Sequence, residues 1–417
     1  MKPVSNKMDQ FNKTRLVLIL STFPQQSETF IVNRFLGLSS RGWDVQILCN
    51  KLDRRAWLLF PDLAENPIIR KRIHSTLPVQ PRWLVPLLLL PALATCLLTA
   101  PRLTWCYLRR GWQHFGWEVF RRFYLDARLI QLKPDILHFE FGALAVGRIY
   151  LKELLGCQLS VSFRGYDLNF VALDEPDYYA ELWGALDGCH LLSEHLWQRA
   201  LARGFPLEME HMLIPPAVDL AVYPEPRLHQ DEALESPKKS LHILSVGRLE
   251  WKKGYEHALQ AVRILQERGV ECEYHIVGGG DYRDPLHFVC YQIGLEEMVT
   301  FCGAMDHLGV LKKLLWADVF LHPSLSEGFC NAVLEAQAMG VPVVCTDAGG
   351  LPENVADGLT GFVVPRRDPA AMADKLTLLA GDSDLRRKMG AAGCQRVEAH
   401  FRMDQQLDAF EDFYGSL

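Results

Sequence analysis

The chain of 417 residues is long enough for two domains, and its 49% hydrophobic and 23% charged residues are typical of globular proteins. The net charge of −6 provides no basic field, so we expect no nucleic-acid partner. The 11 cysteines are scattered without a Cys-x-x-Cys motif, which argues against a zinc site or a disulfide framework and fits a reducing compartment.

The first part of the chain predicts a doubly wound parallel sheet. An apolar strand at 15–20, helical spacing at 29–39 and a second strand at 44–48 form a βαβ unit. Residues 1–13 are polar and the apolar run at 16–20 is too short for a signal-peptide core, so we expect no secretory signal. Further strands are predicted at 135–138, 159–163, 188–193 and 212–216.

Residues 82–110 differ from the rest of this part. An uncharged run at 83–100 is about as long as a membrane span and is flanked by Arg82 and by Arg109 and Arg110. Three interpretations remain open: an interfacial helix or monotopic hairpin, a buried helical pair, and a true span. Prolines in the run argue against one regular helix, and a single span would divide one domain across the bilayer. Basic residues beside aromatic ones favour an insertion at about 82–125 that contacts an anionic membrane surface.

A boundary between two domains is predicted at 222–240, which is rich in Pro, Glu and Lys and lacks periodicity. We therefore expect an N-terminal domain at 1–221, a C-terminal domain at 241–395 and a closing helix at 396–417. The strands of the second domain are predicted at 241–246, 274–277, 299–301, 318–321, 343–345 and 362–364.

Two carboxylates lie eight residues apart where a loop is predicted to enter a helix. A short buried strand ends before a turn, and helical spacing runs from Asn331 to a stop at Gly340. Glu327 is therefore expected in the loop outside the strand's carboxyl end, and Glu335 two turns into the helix. The free N–H groups of the helix start lie between them and suit a phosphate. A phosphate bound between two carboxylates, each of which accepts hydrogen bonds from hydroxyl groups, matches the sugar, phosphate and ribose of a nucleotide sugar.

A pair of cations follows the first strand of the second domain. Arg248 suits a bidentate phosphate contact and Lys253 a point charge, so the two could neutralise a departing diphosphate without a metal. The helix dipole disfavours cations at a helix start, which argues against a purely structural role. No Asp-x-Asp motif lies at a suitable strand end, and we expect no catalytic metal and no cofactor.

Four segments together resemble the donor-site signature of glycosyltransferase family 4, whose members are retaining enzymes of the GT-B fold. They are Glu327-Gly328-Phe329, the run at 335–344, Gly349-Gly350-Leu351-Pro352-Glu353 and the run at 358–362, within a resemblance that is dense over about 241–367. The run from Thr22 to Ile31 is similar to a subgroup that assembles colanic-acid-like and other exopolysaccharides. The resemblance implies an α/β fold of two Rossmann-like domains facing a central cleft, with the last helix crossing back to the N-terminal domain.

The resemblance also implies a role for each charged residue of the second domain. Arg248 and Lys253 match the residues that bind the donor phosphates. Glu335 would bind the ribose hydroxyls, and Glu327 would contact the transferred sugar.

Backbone groups complete the implied donor site. Gly278 would lie near the nucleotide, and Gly303 where the backbone meets the base. The amides of Phe329, Cys330 and Asn331 would lie near the sugar and phosphate.

The N-terminal domain departs from the family pattern at one position. Family 4 often has His-Gly-x-Asp after a strand, whereas this chain has Arg164-Gly165-Tyr166-Asp167. A histidine role cannot be carried over to Arg164, which could instead contact a phosphate or an acidic acceptor. Asp167 and His138, which ends another strand, are the other candidate catalytic residues, although a lone histidine is more often structural.

The sequence thus predicts a retaining glycosyltransferase that moves a sugar from a UDP- or GDP-linked donor to a lipid-linked saccharide acceptor. We expect it in the cytoplasm, peripheral on the inner face of the cytoplasmic membrane through residues 82–110. A nucleotide-sugar epimerase and a non-catalytic membrane-bound partner with a degenerate donor site are alternatives, and Arg164 favours the second of these. A phosphorylase would need a lysine for pyridoxal phosphate, which nothing in the sequence marks.

Overall fold

The computed structural model describes residues 14–25, 28–54, 56–76, 85–224 and 240–417. Contacts divide the chain into two units. The first unit contains the described residues up to 191 together with 198–213 and 407–417, and the second contains those of 192–197 and 214–406. Most of the linker predicted at 222–240 lies outside the described residues.

Parallel strands form the sheet of the first unit. They are β1 (Arg15–Phe23), β2 (Asp44–Leu52), β3 (Ile73–Ser75), β4 (Ile136–Phe139), β5 (Gln158–Phe163), β6 (Gly188–Leu191) and β7 (His211–Leu213). In the described part of the chain they make one seven-stranded sheet in the order β3-β2-β1-β4-β5-β6-β7. Residues 16–20 of the central strand β1 are all buried, as expected of an apolar parallel strand covered on both faces.

Helices alternate with these strands. Those up to residue 201 are α1 (Thr29–Ser40), α2 (Pro61–Glu65), α3 (Pro67–Lys71), α4 (Val85–Thr99), α5 (Pro101–Phe115), α6 (Glu118–Leu132), α7 (Gly142–Ala145), α8 (Tyr150–Leu155), α9 (Gly165–Asn169), α10 (Ala180–Ala185) and α11 (Glu194–Leu201). Helix α1 buries Ile31, Phe35 and Leu38, the apolar positions whose spacing predicts it.

The apolar insertion forms three consecutive helices, α4 to α6, that pack on one another. Cys96 of α4 and Tyr107 of α5 are fully buried, whereas several leucines and tryptophans of the same helices are exposed. No helix in the described residues is both long and apolar enough to cross a membrane. Residues 82–84 of the predicted segment lie outside the described residues.

The second unit has a parallel sheet of its own. Its strands are β8 (Leu241–Val246), β9 (Cys272–Val277), β10 (Val299–Gly303), β11 (Val319–His322), β12 (Val343–Thr346) and β13 (Gly361–Val364). The order among the described residues is β10-β9-β8-β11-β12-β13. Its helices are α12 (Tyr255–Glu267), α13 (Arg283–Gln292), α14 (His307–Trp316), α15 (Asn331–Ala338), α16 (Leu351–Asn354), α17 (Pro369–Gly381), α18 (Ser383–His400) and α19 (Met403–Gly415).

The end of the chain returns to the first unit. Helix α19 begins in the second unit, but its residues from 407 onward group with the first. There Trp43 Nε1 donates to Glu411 at 3.0 Å, and a Cβ at Gly37 would collide with Leu407. Two Rossmann-like α/β units and a returning helix confirm the predicted fold class.

Candidate functional site

The loop that carries Glu327 lies at the carboxyl end of β11. The strand ends at His322, one residue beyond its predicted end, and α15 begins at Asn331, as the sequence predicts. Cys330 occupies the N-cap position, and its backbone N–H donates to Asn354 Oδ1 at 3.0 Å. Because this amide already has a partner, the predicted contact of Cys330 N–H with a ligand would require Asn354 to yield it.

Three side chains contact the same carboxylate oxygen of Glu327. Lys253 Nζ lies 2.5 Å from Oε1, Ser324 Oγ at 2.7 Å and His322 Nε2 at 3.0 Å. Burial alone would raise the pKa of Glu327, but the Lys253 ammonium and the His322 contact outweigh it and hold that pKa far below its usual value. Glu327 is therefore a permanent carboxylate with a fixed orientation.

His322 is itself part of this charged cluster. It is buried, and burial lowers its pKa, but the contacts with Cys330 and Glu327 outweigh burial and raise it to about 9. Cys330 Sγ lies 3.4 Å from Nε2. The ring is thus protonated at neutral pH, and Nε2–H donates to Glu327.

These side chains also include a set of possible metal ligands. Ligand atoms of His322, Glu327 and Cys330 all lie within 4.8 Å of one another. The Lys253 ammonium already contacts the Glu327 oxygen that a metal would use. A bound cation would have to displace it, so the donor set fits a lysine-held carboxylate better than a metal centre.

The loop that carries the two cations is tied to the Glu327 loop. Leu325 N–H donates to Lys252 O at 2.7 Å, and a Cβ at Gly254, whose φ is 63°, would collide with Pro323 O. This close approach places Lys253 against Glu327. Burial lowers the pKa of Lys253, but the Glu327 carboxylate outweighs burial and raises that pKa above its usual value, with a smaller opposing effect from the charge of Arg248 nearby. The exposed guanidinium of Arg248 pairs with Glu250 at 2.7 Å.

Glu335 has a different environment from Glu327. It lies within α15, and burial raises its pKa to about 7. Its charge also contributes to the raised pKa of Tyr223, after burial of that phenol. The carboxyl group therefore changes protonation near neutral pH.

Glycines bring the strand ends together beneath these loops. Gly278 has a φ of 153°, and a Cβ there would collide with Gly247 O. Its N–H donates to Gly303 O at 2.9 Å, and Gly247 N–H donates to Val277 O at 3.0 Å. Both predicted glycines therefore support the backbone that carries Arg248.

A second glycine pair packs on the Glu327 loop. Gly350 N–H donates to Glu327 O at 3.1 Å, and a Cβ at Gly349 would collide with the same oxygen. Within the second unit, Ser193 Oγ also donates to Gly328 O at 2.9 Å. The sequence did not indicate roles for Ser193, His322, Ser324 or Asn354. For His322 and Ser324, the one signal is their position in the run His322-Pro323-Ser324 beside the Glu327 motif.

The candidates of the first unit gather around a buried glutamate that the sequence did not indicate. Glu140 pairs with Arg34 and, at 2.9 Å, with Arg164, whose guanidinium also lies over the Phe30 ring. Asp167 accepts from Arg164 N–H at 3.0 Å, and burial raises its pKa to about 6. Arg164 and Asp167 therefore make buried structural contacts.

His138 is completely buried beside this cluster. Its Nδ1 and Nε2 each lie 2.9 Å from a serine hydroxyl, those of Ser160 and Ser162. Burial holds the pKa of His138 well below its ordinary value. The ring is neutral with both nitrogens engaged, which favours a structural role.

Known proteins resemble this chain in sequence and in fold. The family "Glycosyl transferases group 1" matches residues 227–396. The putative colanic acid biosynthesis glycosyltransferase WcaL of Escherichia coli K12 is 30% identical over 389 residues, covering 86% of this chain and 88% of that protein. The amylovoran biosynthesis glycosyltransferase AmsK of Erwinia amylovora is 34% identical over 262 residues, 60% of this chain and 62% of that protein. The chain thus spans less than two thirds of AmsK.

Solved structures share the fold at low sequence identity. The sucrose-phosphate synthase tll1590 of Thermosynechococcus elongatus has a TM-score of 0.71 at 20% identity and covers 96% of this chain and 98% of its own. Anabaena Alr3699/HepE, in complex with UDP and glucose, has a TM-score of 0.71 at 16% identity and covers 96% and 100%.

Proposed function

The chain belongs to the group 1 glycosyltransferases, and from this membership we propose that it transfers a sugar from a nucleoside-diphosphate sugar to a saccharide with retention of anomeric configuration. It is an enzyme of the transferase class. The relatives named for amylovoran and colanic acid synthesis support a place in exopolysaccharide biosynthesis. The UDP and glucose bound by HepE support a nucleotide-sugar donor.

The contact between Lys253 and Glu327 carries the proposal. A carboxylate held by a lysine, a protonated histidine and a serine can accept sugar hydroxyls without moving. Lys253 keeps further N–H donors for a diphosphate oxygen, and Arg248 adds a second cation nearby. Charge that develops on the departing diphosphate would thus meet preorganised cations.

The start of α15 and Glu335 would bind the remaining parts of the donor. The N–H groups at the start of the helix suit a phosphate. Burial raises the pKa of Glu335 because it removes water from the carboxylate. Ribose hydroxyls that donate to this carboxylate would replace the lost hydrogen bonds to water. We assign the acceptor to the first unit and expect neither a metal nor a cofactor.

The acceptor that best fits an exopolysaccharide pathway is a lipid-linked saccharide. Such an acceptor lies in a membrane, so the enzyme would work in the cytoplasm on the inner face of the cytoplasmic membrane. This location is a part of the proposal that the donor site by itself does not require.

A donor screen tests the proposal. Purified protein is heated with UDP- and GDP-linked sugars, and the matching donor should raise the melting temperature by mass action. The same donor should then be hydrolysed or transferred, and NMR of the product anomer should show retention. Donor binding without turnover over a broad panel of saccharide acceptors would contradict the proposed activity.

A further inference from the structure

We propose that helices α4 and α5 form a docking surface for an anionic lipid membrane. The inference gives the membrane location proposed above a defined surface, and it depends on contacts within the first unit alone. It is therefore independent of the donor-site residues.

Helix α4 presents an apolar face that the described fold leaves uncovered. Leu87, Leu90, Leu97 and Leu98 are all exposed, and Leu98 reaches 85%. At 100° per residue these four positions lie within an arc of about 100°. The helix has no charged residue, whereas an ordinary surface helix turns a polar face to water.

The opposite side of α4 fixes the helix on its neighbours. Ala92 and Cys96 are buried, and the Cys96 thiol lies 3.4 Å from Ala127 O of α6. Gln131 Nε2 of α6 donates to a threonine hydroxyl of α4 at 3.0 Å. The exposed leucines thus belong to a helix that is already packed on its other side.

Helix α5 adds an interfacial stripe. Arg102, Trp105, Arg109 and Trp112 recur every three or four residues, and all four are exposed. Such residues keep a charged or polar end in water while their apolar part contacts lipid. The other side of α5 is closely packed, since a Cβ at Gly111 would lie 2.6 Å from a Val119 methyl.

The charge of this segment favours anionic lipid over another occupant. Residues 85–133 contain seven Arg and Lys and only two acidic residues, although the whole chain has a net charge of −6. One of those acids, Asp126, is buried and accepts from Tyr107 at 2.7 Å. The exposed arginines of α5 and the uncharged leucine face of α4, two helices that pack on each other, match the phosphates and acyl chains of an anionic leaflet.

Vesicle flotation tests the surface directly. The full chain is mixed with vesicles of phosphatidylcholine alone or of phosphatidylcholine and phosphatidylglycerol in equal parts. We expect flotation with the anionic vesicles only, and release in high salt because salt screens the arginines. Replacing Leu87, Leu90 and Leu98 by serine should weaken binding about a hundredfold by removing buried apolar area.

A matched variant controls for the loss of exposed leucines in general. Replacing Leu207, Leu308 and Leu359, which are exposed elsewhere, by serine should leave flotation unchanged. The double change Arg102→Gln and Arg109→Gln should weaken binding about 25-fold, near fivefold for each arginine. Its control is the double change of the exposed Lys312 and Lys388 to glutamine.

Several results would overturn the proposal. They are no flotation of the wild-type chain, equal flotation of the α4 serine variant, or a fall in oligomeric mass of that variant in light scattering, which would mean that a second copy covers the face. Thermal shift with UDP or GDP reports on the donor site separately. Flotation without a nucleotide shift would contradict the proposed function and leave the docking surface standing.

Discussion

Two glutamates in one short segment acquire opposite ionisation from their surroundings. Glu327 lies against an ammonium and a protonated imidazole, so its pKa is held far below the usual range. Glu335 is half-buried, and its loss of hydration raises its pKa to about 7. One residue is therefore a fixed charge and the other titrates near physiological pH, a difference that suits the sugar contact proposed for Glu327 and the ribose contact proposed for Glu335.

Replacing Lys253 by alanine should remove the cation that contacts Glu327 and that we propose binds the diphosphate. We expect transfer to fall by about two to three orders of magnitude, as for other preorganised electrostatic groups. The neighbour Lys252 pairs with Glu250 at 3.1 Å, and Lys252→Ala is the matched control, with an effect below about threefold. Initial rates with saturating acceptor measure both variants. Equal rates for the two variants would show that Lys253 does not contribute to transfer.

Nucleotide binding should depend on pH through Glu335. In the proposed site, ribose hydroxyls donate to the ionised carboxylate, so nucleotide affinity should be full above pH 7 and should weaken as the pH falls through about 7. The folded pKa exceeds the ordinary value of 4.5, so the free protein should lose stability as the pH rises between these values. Titration calorimetry across this range should show that Glu335→Gln binds more weakly at pH 8 and without the pH dependence. A pH dependence that persists in Glu335→Gln would assign it to another group.

Sequence reasoning could identify Glu327 and Lys253 but not what holds them. Both lie in motifs with a chemical signature, a carboxylate before a helix start and a cation where the dipole disfavours it. His322, Ser324 and Asn354 act through contacts that exist only after the loops fold against each other. His138 shows the reverse case, because its position at a strand end suggests catalysis while burial and two serine partners favour a structural role.

At the scale of elements, the site depends on how closely three strand ends approach. The loop after β8 lies on the turn after β9, and that turn hydrogen-bonds to the end of β10. Only a residue without a side chain fits between them, because a Cβ at Gly278 would collide with Gly247 O. The glycine run after β9 is therefore a packing requirement of the loop that carries Arg248.

Replacing Gly278 by alanine should distort this loop. The collision with backbone and the φ of 153° cannot relax through side-chain rotation, so we expect a loss of about 2–4 kcal/mol in unfolding free energy and weaker nucleotide binding. Gly279→Ala is the matched control, since its Cβ would meet only Ala304 Cβ at an ordinary 3.6 Å. Urea unfolding and nucleotide titration measure both. Similar stability of the two variants would contradict the packing argument.

The strands were more predictable than the breaks between helices. The largely apolar segment Leu241-His-Ile-Leu-Ser-Val246 predicts β8 at 241–246, which is also its observed extent. The closing segment reads as one helix, but the structure ends α18 at His400 and starts α19 at Met403. There Phe401 O accepts from Val218 N–H at 2.8 Å, and Met403 N–H donates to Val218 O at 3.1 Å. These partners are distant in sequence, so local periodicity cannot reveal the break.

At the scale of the whole molecule, each unit has its own sheet, and α19 belongs to both. The residues of α19 from 407 onward complete the core of the first unit. Phe410, Phe413 and Tyr414 are buried there, with the Tyr414 ring edge-on to His138 at 5.3 Å. The first unit therefore needs residues 407–417, although Lys253, His322 and Glu327 all lie in the second.

Replacing Phe413 by alanine should destabilise the first unit and leave the second unit unchanged. The Phe413 ring packs closely on Gly188, where an added Cβ would lie 3.0 Å from it. Removal of the ring leaves a cavity, which should lower the unfolding free energy of the first unit by about 3–5 kcal/mol. Hydrogen exchange should then quicken in β4 to β6, while nucleotide affinity, which we assign to Lys253 and Glu327 of the second unit, should stay within about twofold of wild type. The control Phe288→Ala removes an exposed ring of the second unit and should change stability by less than about 0.5 kcal/mol. If Phe413→Ala weakened nucleotide binding as much as Lys253→Ala, the two units would be coupled and the donor site could not be treated as a property of the second unit alone.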